Sequence, residues 1–258
     1  MTAYFSSRLA FAARWSLGHL AASALVAFGA ALVVFGLWYP SPWRELLGVS
    51  SIFLLVVAVD VVCGPLLTLV LASPRKSLRE RWLDLSLVAL IQIAALAYGL
   101  FSVFSARPVL LVFEVDRLVV VTANEVQTEQ LPQALDGLRS LPWAGVKAVG
   151  LRQPVSTDEY LQSLEQTLQG VTQPMRPAWW VPLEAVKPHL IKRAKPLKDL
   201  LQAQPQESDL LESAVAKTGL RMDQLLYLPL TSSKALAWVA LISPEGDVVG
   251  HAPVDGFD

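Results

Sequence analysis

Two aspartates, Asp60 and Asp84, lie in neighbouring apolar runs of this 258-residue chain. Two carboxylates sharing one proton could hydrolyse a peptide bond inside a membrane. Their depths argue against it. If the runs are helices ending at Ala72 and beginning at Trp82, a rise of about 1.5 Å per residue puts Asp60 roughly 18 Å from one end. Asp84 then lies only about 3 Å from the other, so the two cannot share a proton. Gln92, about 15 Å in, is level with Asp60 and is expected to face it and hydrogen-bond to it. No catalytic residue is assigned.

A buried carboxylate in lipid needs a partner or a proton, so Asp60 is either internal glue between helices or part of a site for another helix. Helical spacing aligns Asp60, Gly64 and Thr68 on one small, polar face. Pro65 cannot donate to the carbonyl of Val61, which bends the helix and frees an acceptor. Ser23, Ala27 and Ala31 form a small-residue stripe on the preceding run, suited to close helix approach. Asp84 is expected to stabilise the N-terminal end of its helix or to pair with Arg81.

Elsewhere the chemistry is sparse. His19, His189 and His251 are scattered, without a second ligand at metal spacing, so no metal and no cofactor are expected. There is no nucleophile elbow, phosphate-binding loop or dinucleotide fingerprint, and the chain does not read as an enzyme. "FEVDR" brings together Glu114, Asp116 and Arg117, either a solvated hairpin with a cross-strand ion pair or a partner-binding cluster. "PAWWVP" sets Trp179 and Trp180 between prolines, either as core or as an exposed binding surface. The basic residues from Lys187 to Lys198 are flanked by Glu184 and Asp199 and read as a solvated helix face rather than an anionic-lipid contact.

The elements that must carry these residues follow from composition. The chain is 53% hydrophobic and 17% charged, too apolar for an ordinary soluble protein. Three segments are long enough to span a bilayer: 16–38, 46–72 and 82–104. Trp15, Trp38, Tyr39, Trp43 and Trp82 flank them as interfacial aromatics do. Arg75, Lys76, Arg79 and Arg81 crowd the turn 73–81, whereas the first turn carries only Arg44. Basic flanks stay cytoplasmic, so the tail 1–15 and the turn 73–81 are read as cytoplasmic and 105–258 as periplasmic.

Residues from Ser105 onward hold 14 basic and 18 acidic side chains, no field suited to nucleic acid. The single cysteine, Cys63, lies in a span. Strands are expected at 108–122 as a hairpin, then at 146–152, 225–230, 237–242 and 248–251. Helices are expected at 158–168 and 207–217, with a proline-punctuated helical stretch over 183–203. The fold class is therefore three transmembrane helices followed by an α+β domain with an antiparallel sheet.

The order "VDVVCGPLLTLV", "LDLSLVALIQIAALAYGL", "ARPVLLVFEVDRLVVV", "LPWAGVKAV", "RPAWWVPLE" and "LLYLPL" resembles the TfpX/TfpZ family of type IV pilin accessory proteins. Trp179 and Trp180 stand where tyrosines are usual, and Leu118 where an aromatic is common. The resemblance implies a non-enzymatic inner-membrane protein whose partner is a cognate type IV pilin, with other pilus assembly components as further partners. On that reading Asp60, Gly64, Pro65, Thr68 and Gln92 are expected to line a groove for the pilin helix, a small, polar, bent face. Glu114, Asp116, Arg117, Trp179 and Trp180 would then meet the pilin head. The competing class is a membrane-anchored periplasmic ligand-binding or sensor module.

Overall fold

A computed structural model describes the backbone of residues 2–257 and the side chains of residues 8–257. Contacts divide the chain into two units, 1–40 with 48–105, and 41–47 with 106–258.

The first unit consists of three long helices. α1 (Thr2–Val33) runs on through a π-helical turn, Val34–Trp38. It is therefore helical through most of the segment read from sequence as a tail. After a short α2 (Trp43–Leu46), α3 (Val49–Leu71) carries Pro65 inside it, and α4 (Leu78–Ser105) completes the set. All three long helices are long and apolar enough to cross a membrane. Leu25, Phe28, Leu54, Leu55, Ile93 and Phe101 stay exposed, the surface a bilayer would cover. The start of α4 is a capping box: the Ser77 amide donates to Glu80 Oε2 at 2.8 Å and the Glu80 amide to Ser77 Oγ at 3.3 Å.

α3 packs against both α1 and α4. Small residues let it come close: a Cβ at Gly99 would sit 2.6 Å from Val56, and one at Gly64 would collide with the Gln92 amide. α1 and α4 meet through aromatics, Trp15 against Trp82 at 6.3 Å near one end and Trp38 against Phe104 at 4.9 Å near the other.

The second unit is a mixed α/β domain. Its strands are β1 (Pro108–Glu114), β2 (Arg117–Thr122), β3 (Lys147–Leu151), β4 (Trp180–Pro182), β5 (Lys195–Pro196), β6 (Leu226–Thr231), β7 (Trp238–Ile242) and β8 (Val248–Ala252). Seven follow the order β4-β3-β1-β2-β6-β7-β8, and β5 pairs with β6. The sheet is mostly antiparallel, but β1–β3 and β2–β6 are parallel, because chain excursions separate each pair. The helices are α5 (Thr157–Leu168), α6 (Leu183–Arg193), α7 (Leu197–Ala203) and α8 (Ser208–Ala216). The expected stretch 183–203 is thus two helices, parted at Lys195–Pro196, where the chain pairs with β6 instead.

Leu197, Leu200 and Leu211 bury against Tyr227, Val239 and Leu241, while Val109, Val112, Val121 and Val149 form a second cluster with Trp180. The turn 41–47 belongs to this unit, and Trp43 lies edge-on to His251 with ring centroids 5.1 Å apart.

Candidate functional site

Between α1 and α4, floored by α3, is a lateral cleft of about 220 Å³ lined by His19, Ser23 and Ala27, by Val57 and Asp60, and by Gln92 and Leu96. A larger hollow of about 520 Å³ shares His19, Ala22 and Ala89 with it and extends toward Trp15 and Trp82.

Asp60 is 8% exposed and its carboxylate has no hydrogen-bond or ion-pair partner among the described residues. Gln92 does face Asp60, but its Nε2 donates to the Asp60 main-chain oxygen at 2.7 Å rather than to the side chain. That leaves Gln92 Oε1 buried without a donor. Asp60 and Gln92 both line the cleft, and the Asp60 carboxylate and the buried Gln92 Oε1 have no donor among the described residues. Gly64 is small because the Gln92 amide occupies the space a side chain would take.

The rest of the polar face is held by α1. His19 Nδ1 and Thr68 Oγ1 are 2.6 Å apart, and Ser16 Oγ donates to the Pro65 carbonyl at 2.8 Å. The side-chain donors thus reach the carbonyls of Asp60 and Pro65, on either side of the bond that Pro65 removes. Ser16 and His19 are the members sequence reasoning missed. With Ser23 they recur at i, i+3 and i+7, a polar line inside an apolar run that would have marked this face. Asp84 pairs with Lys76 at 2.5 Å instead of Arg81, whose guanidinium donates to the Lys76 carbonyl.

In the second unit, β1 and β2 meet in a tight turn whose Val115 has φ +56° and whose Asp116 amide donates to the Glu114 carbonyl at 2.7 Å. A β-branched residue there is strained, and Val115 is also 63% exposed. Glu114 and Arg117 are register partners, yet Arg117 pairs with the adjacent Asp116 at 2.9 Å. The expected cross-strand ion pair is replaced by this local one. The Glu114 carboxylate has no hydrogen-bond or ion-pair partner among the described residues. Burial pushes its carboxyl above the ordinary value, outweighing the opposing field of Arg117.

Trp179 and Trp180 are 5% and 3% exposed, as the core alternative expects. The guanidinium of Arg152 stacks 4.4 Å over Trp179, with that of Arg176 at 5.1 Å, and Trp180 Nε1 donates to the Pro174 carbonyl at 2.9 Å. Arg176 is 2% exposed and is satisfied by Gln166 and Ser163. Glu159 grips Arg152 with both oxygens, which holds its carboxyl down at about 2.

The profile described as fimbrial assembly protein FimB matches residues 7–48. Over 252 residues the chain is 32% identical to a fimbrial assembly protein, serogroup I, of Dichelobacter nodosus, covering 97% of this chain and 98% of the relative. The chain belongs to the fimbrial assembly protein family. A serogroup E1 relative from the same organism is 33% identical over 254 residues, with the same coverage. A third, of serogroups C1 and C2, is 40% identical over 127 residues, 49% of this chain and 97% of that relative. No solved structure matches. A fimbrial assembly protein with three membrane-capable helices is a membrane-anchored participant in fimbrial or pilus assembly, and the family name points to assembly rather than catalysis.

Proposed function

We propose that this fimbrial assembly protein is a pilin-specific, chaperone-like factor of the bacterial inner membrane. Its partner is a cognate type IV pilin, as its resemblance to TfpX/TfpZ proteins implies, and it holds the hydrophobic helix of that pilin in the cleft between α1 and α4. Its N-terminus and basic turn lie in the cytoplasm and its α/β domain in the periplasm, where the β1–β2 hairpin reaches the pilin head.

The observation that carries this reading is the Asp60 carboxylate, without a partner among the described residues, in a cleft it shares with Gln92, whose buried Oε1 is also unpaired. In hydrocarbon such groups gain most from a donor brought by another chain. An apolar helix with an N–H or ammonium donor near its end meets that need without opening the cleft to water. Thr68 and Pro65, buried outside the cleft lining and held by His19 and Ser16, brace α3 against α1. At the hairpin, Glu114, Asp116 and Arg117 present the polar contacts, with Trp179 and Trp180 behind them as support.

The test is co-purification of the cognate pilin with Asp60→Leu and Asp60→Asn. Both are expected to lower recovery about tenfold, the equivalent of one charge-assisted hydrogen bond of roughly 1.4 kcal/mol. Undiminished recovery and piliation with both would return Asp60 to internal glue.

One observation favours a second reading. The α/β domain contains a cleft of about 490 Å³ with apolar walls and several polar groups, as a periplasmic ligand-binding or sensor module would. Retention of a small molecule by the purified protein, with no pilin, would support it.

A further inference from the structure

The same cleft lies beneath the β1–β2 turn, bounded by Phe113 and Leu151 of the sheet, Val181 of the edge strand β4, and Tyr160 and Val186 from α5 and α6. Its polar groups are unequal. Arg152 is matched by Glu159 through contacts of 2.6 and 3.0 Å and also donates to the Ala178 carbonyl, so its charge is spoken for. His189 stacks on Phe113 at 5.9 Å. Of the cations outside the lining whose field reaches Glu114, Arg117 is taken by Asp116 at 2.9 Å, and Arg176 is enclosed by Gln166 and Ser163. Glu114 alone brings a carboxylate with no hydrogen-bond or ion-pair partner among the described residues.

We infer that this cleft is a binding site for an organic cation with an apolar stem, an ammonium or guanidinium paired to Glu114, as a lysine or arginine side chain of an extended polypeptide would supply. The stem packs on Leu151 and Val181, and Phe113 and Tyr160 add aromatic surface beside the charge. β4 is only three residues long and pairs with β3 alone, so its outer edge has main-chain groups for such a segment. The strained Val115 fits a turn shaped to hold Glu114 over the cleft rather than to close the hairpin cheaply. Burial keeps the Glu114 carboxyl above its ordinary value despite Arg117 and Arg176, so a nearby cation would pull it back down. The site shares no residue with the intramembrane cleft, and its Glu114 is also one of the hairpin groups offered above to the pilin head.

The test uses the full chain in nanodiscs with three probes: butylammonium, its neutral counterpart 1-butanol, and a capped Val-Lys-Val tripeptide. Binding is followed by NMR of the ligands, together with the titration of the Glu114 carboxyl carbon. Butylammonium is expected to bind at least tenfold more tightly than butanol, and to lose that advantage in Glu114→Gln while butanol is unaffected. Saturating amine should lower the Glu114 titration midpoint. Ala185→Phe, at an exposed α6 position that lines the cleft, should block all three probes without touching Glu114. Tighter binding of the tripeptide than of butylammonium assigns the source to a polypeptide, and equal binding assigns it to a free amine; either supports the cation site. Equal affinity for amine and alcohol, or amine binding unchanged in Glu114→Gln, overturns it.

Discussion

His251 makes the C-terminal unit acid-sensitive by an amount that can be worked out. Its ring lies against Trp43, its Nε2 is buried without a partner, and burial holds its pKa down at about 4 against an ordinary 6.5. The folded state therefore binds fewer protons than the unfolded one between these values. Stability is fully present above about pH 6.5 and is lost as the pH falls toward 4. The two pKa values correspond to about 3 kcal/mol in full, of which about 2 kcal/mol is gone by pH 5. Glu159, held low by Arg152, contributes only below its ordinary value of 4.5, and Glu114, shifted upward, acts in the opposite sense. The assay is hydrogen exchange of β7 and β8 amides in the full chain in nanodiscs, corrected for intrinsic rates, between pH 7 and pH 5. Wild type should lose protection by about 2 kcal/mol over that range, and His251→Phe should lose almost none. Parallel loss in both proteins would refute the assignment.

Two further substitutions probe the domain. Val115→Asn relieves a β-branched residue at φ +56° on an exposed turn and should raise stability by about 1 kcal/mol, measured as a shift in thermal midpoint. Gly150→Val pushes a side chain into Val186 where α6 crosses β3, and should cost about 1–3 kcal/mol by the same measurement, with the cleft beneath the hairpin distorted.

The helices and most strands were legible because their signals are local. Lys147–Leu151, Leu226–Thr231 and Val248–Ala252 are short, mostly apolar runs, and the three long helices follow from hydropathy alone. The two-residue β5 and the parallel pairs were not legible, since pairing partners far apart in sequence decide them. Depth arithmetic matched Gln92 to Asp60 because helix rise is fixed, but it could not choose between a side-chain and a main-chain acceptor. The tandem tryptophans were ambiguous because an aromatic pair between prolines looks the same whether it faces solvent or, as here, is buried, with two guanidinium groups over Trp179.

The central claim is that a pilin helix occupies the cleft at Asp60, and site-specific photocrosslinking in native membranes tests it most directly. One probe replaces Val57, which lines the cleft beside Asp60, and another replaces the exposed Val115 at the hairpin. The account predicts that mass spectrometry finds the same pilin captured at both positions, through its hydrophobic helix at the first and its head at the second. Capture of pilin at neither position, with the protein folded and its cognate pilin present in the membrane, would contradict it.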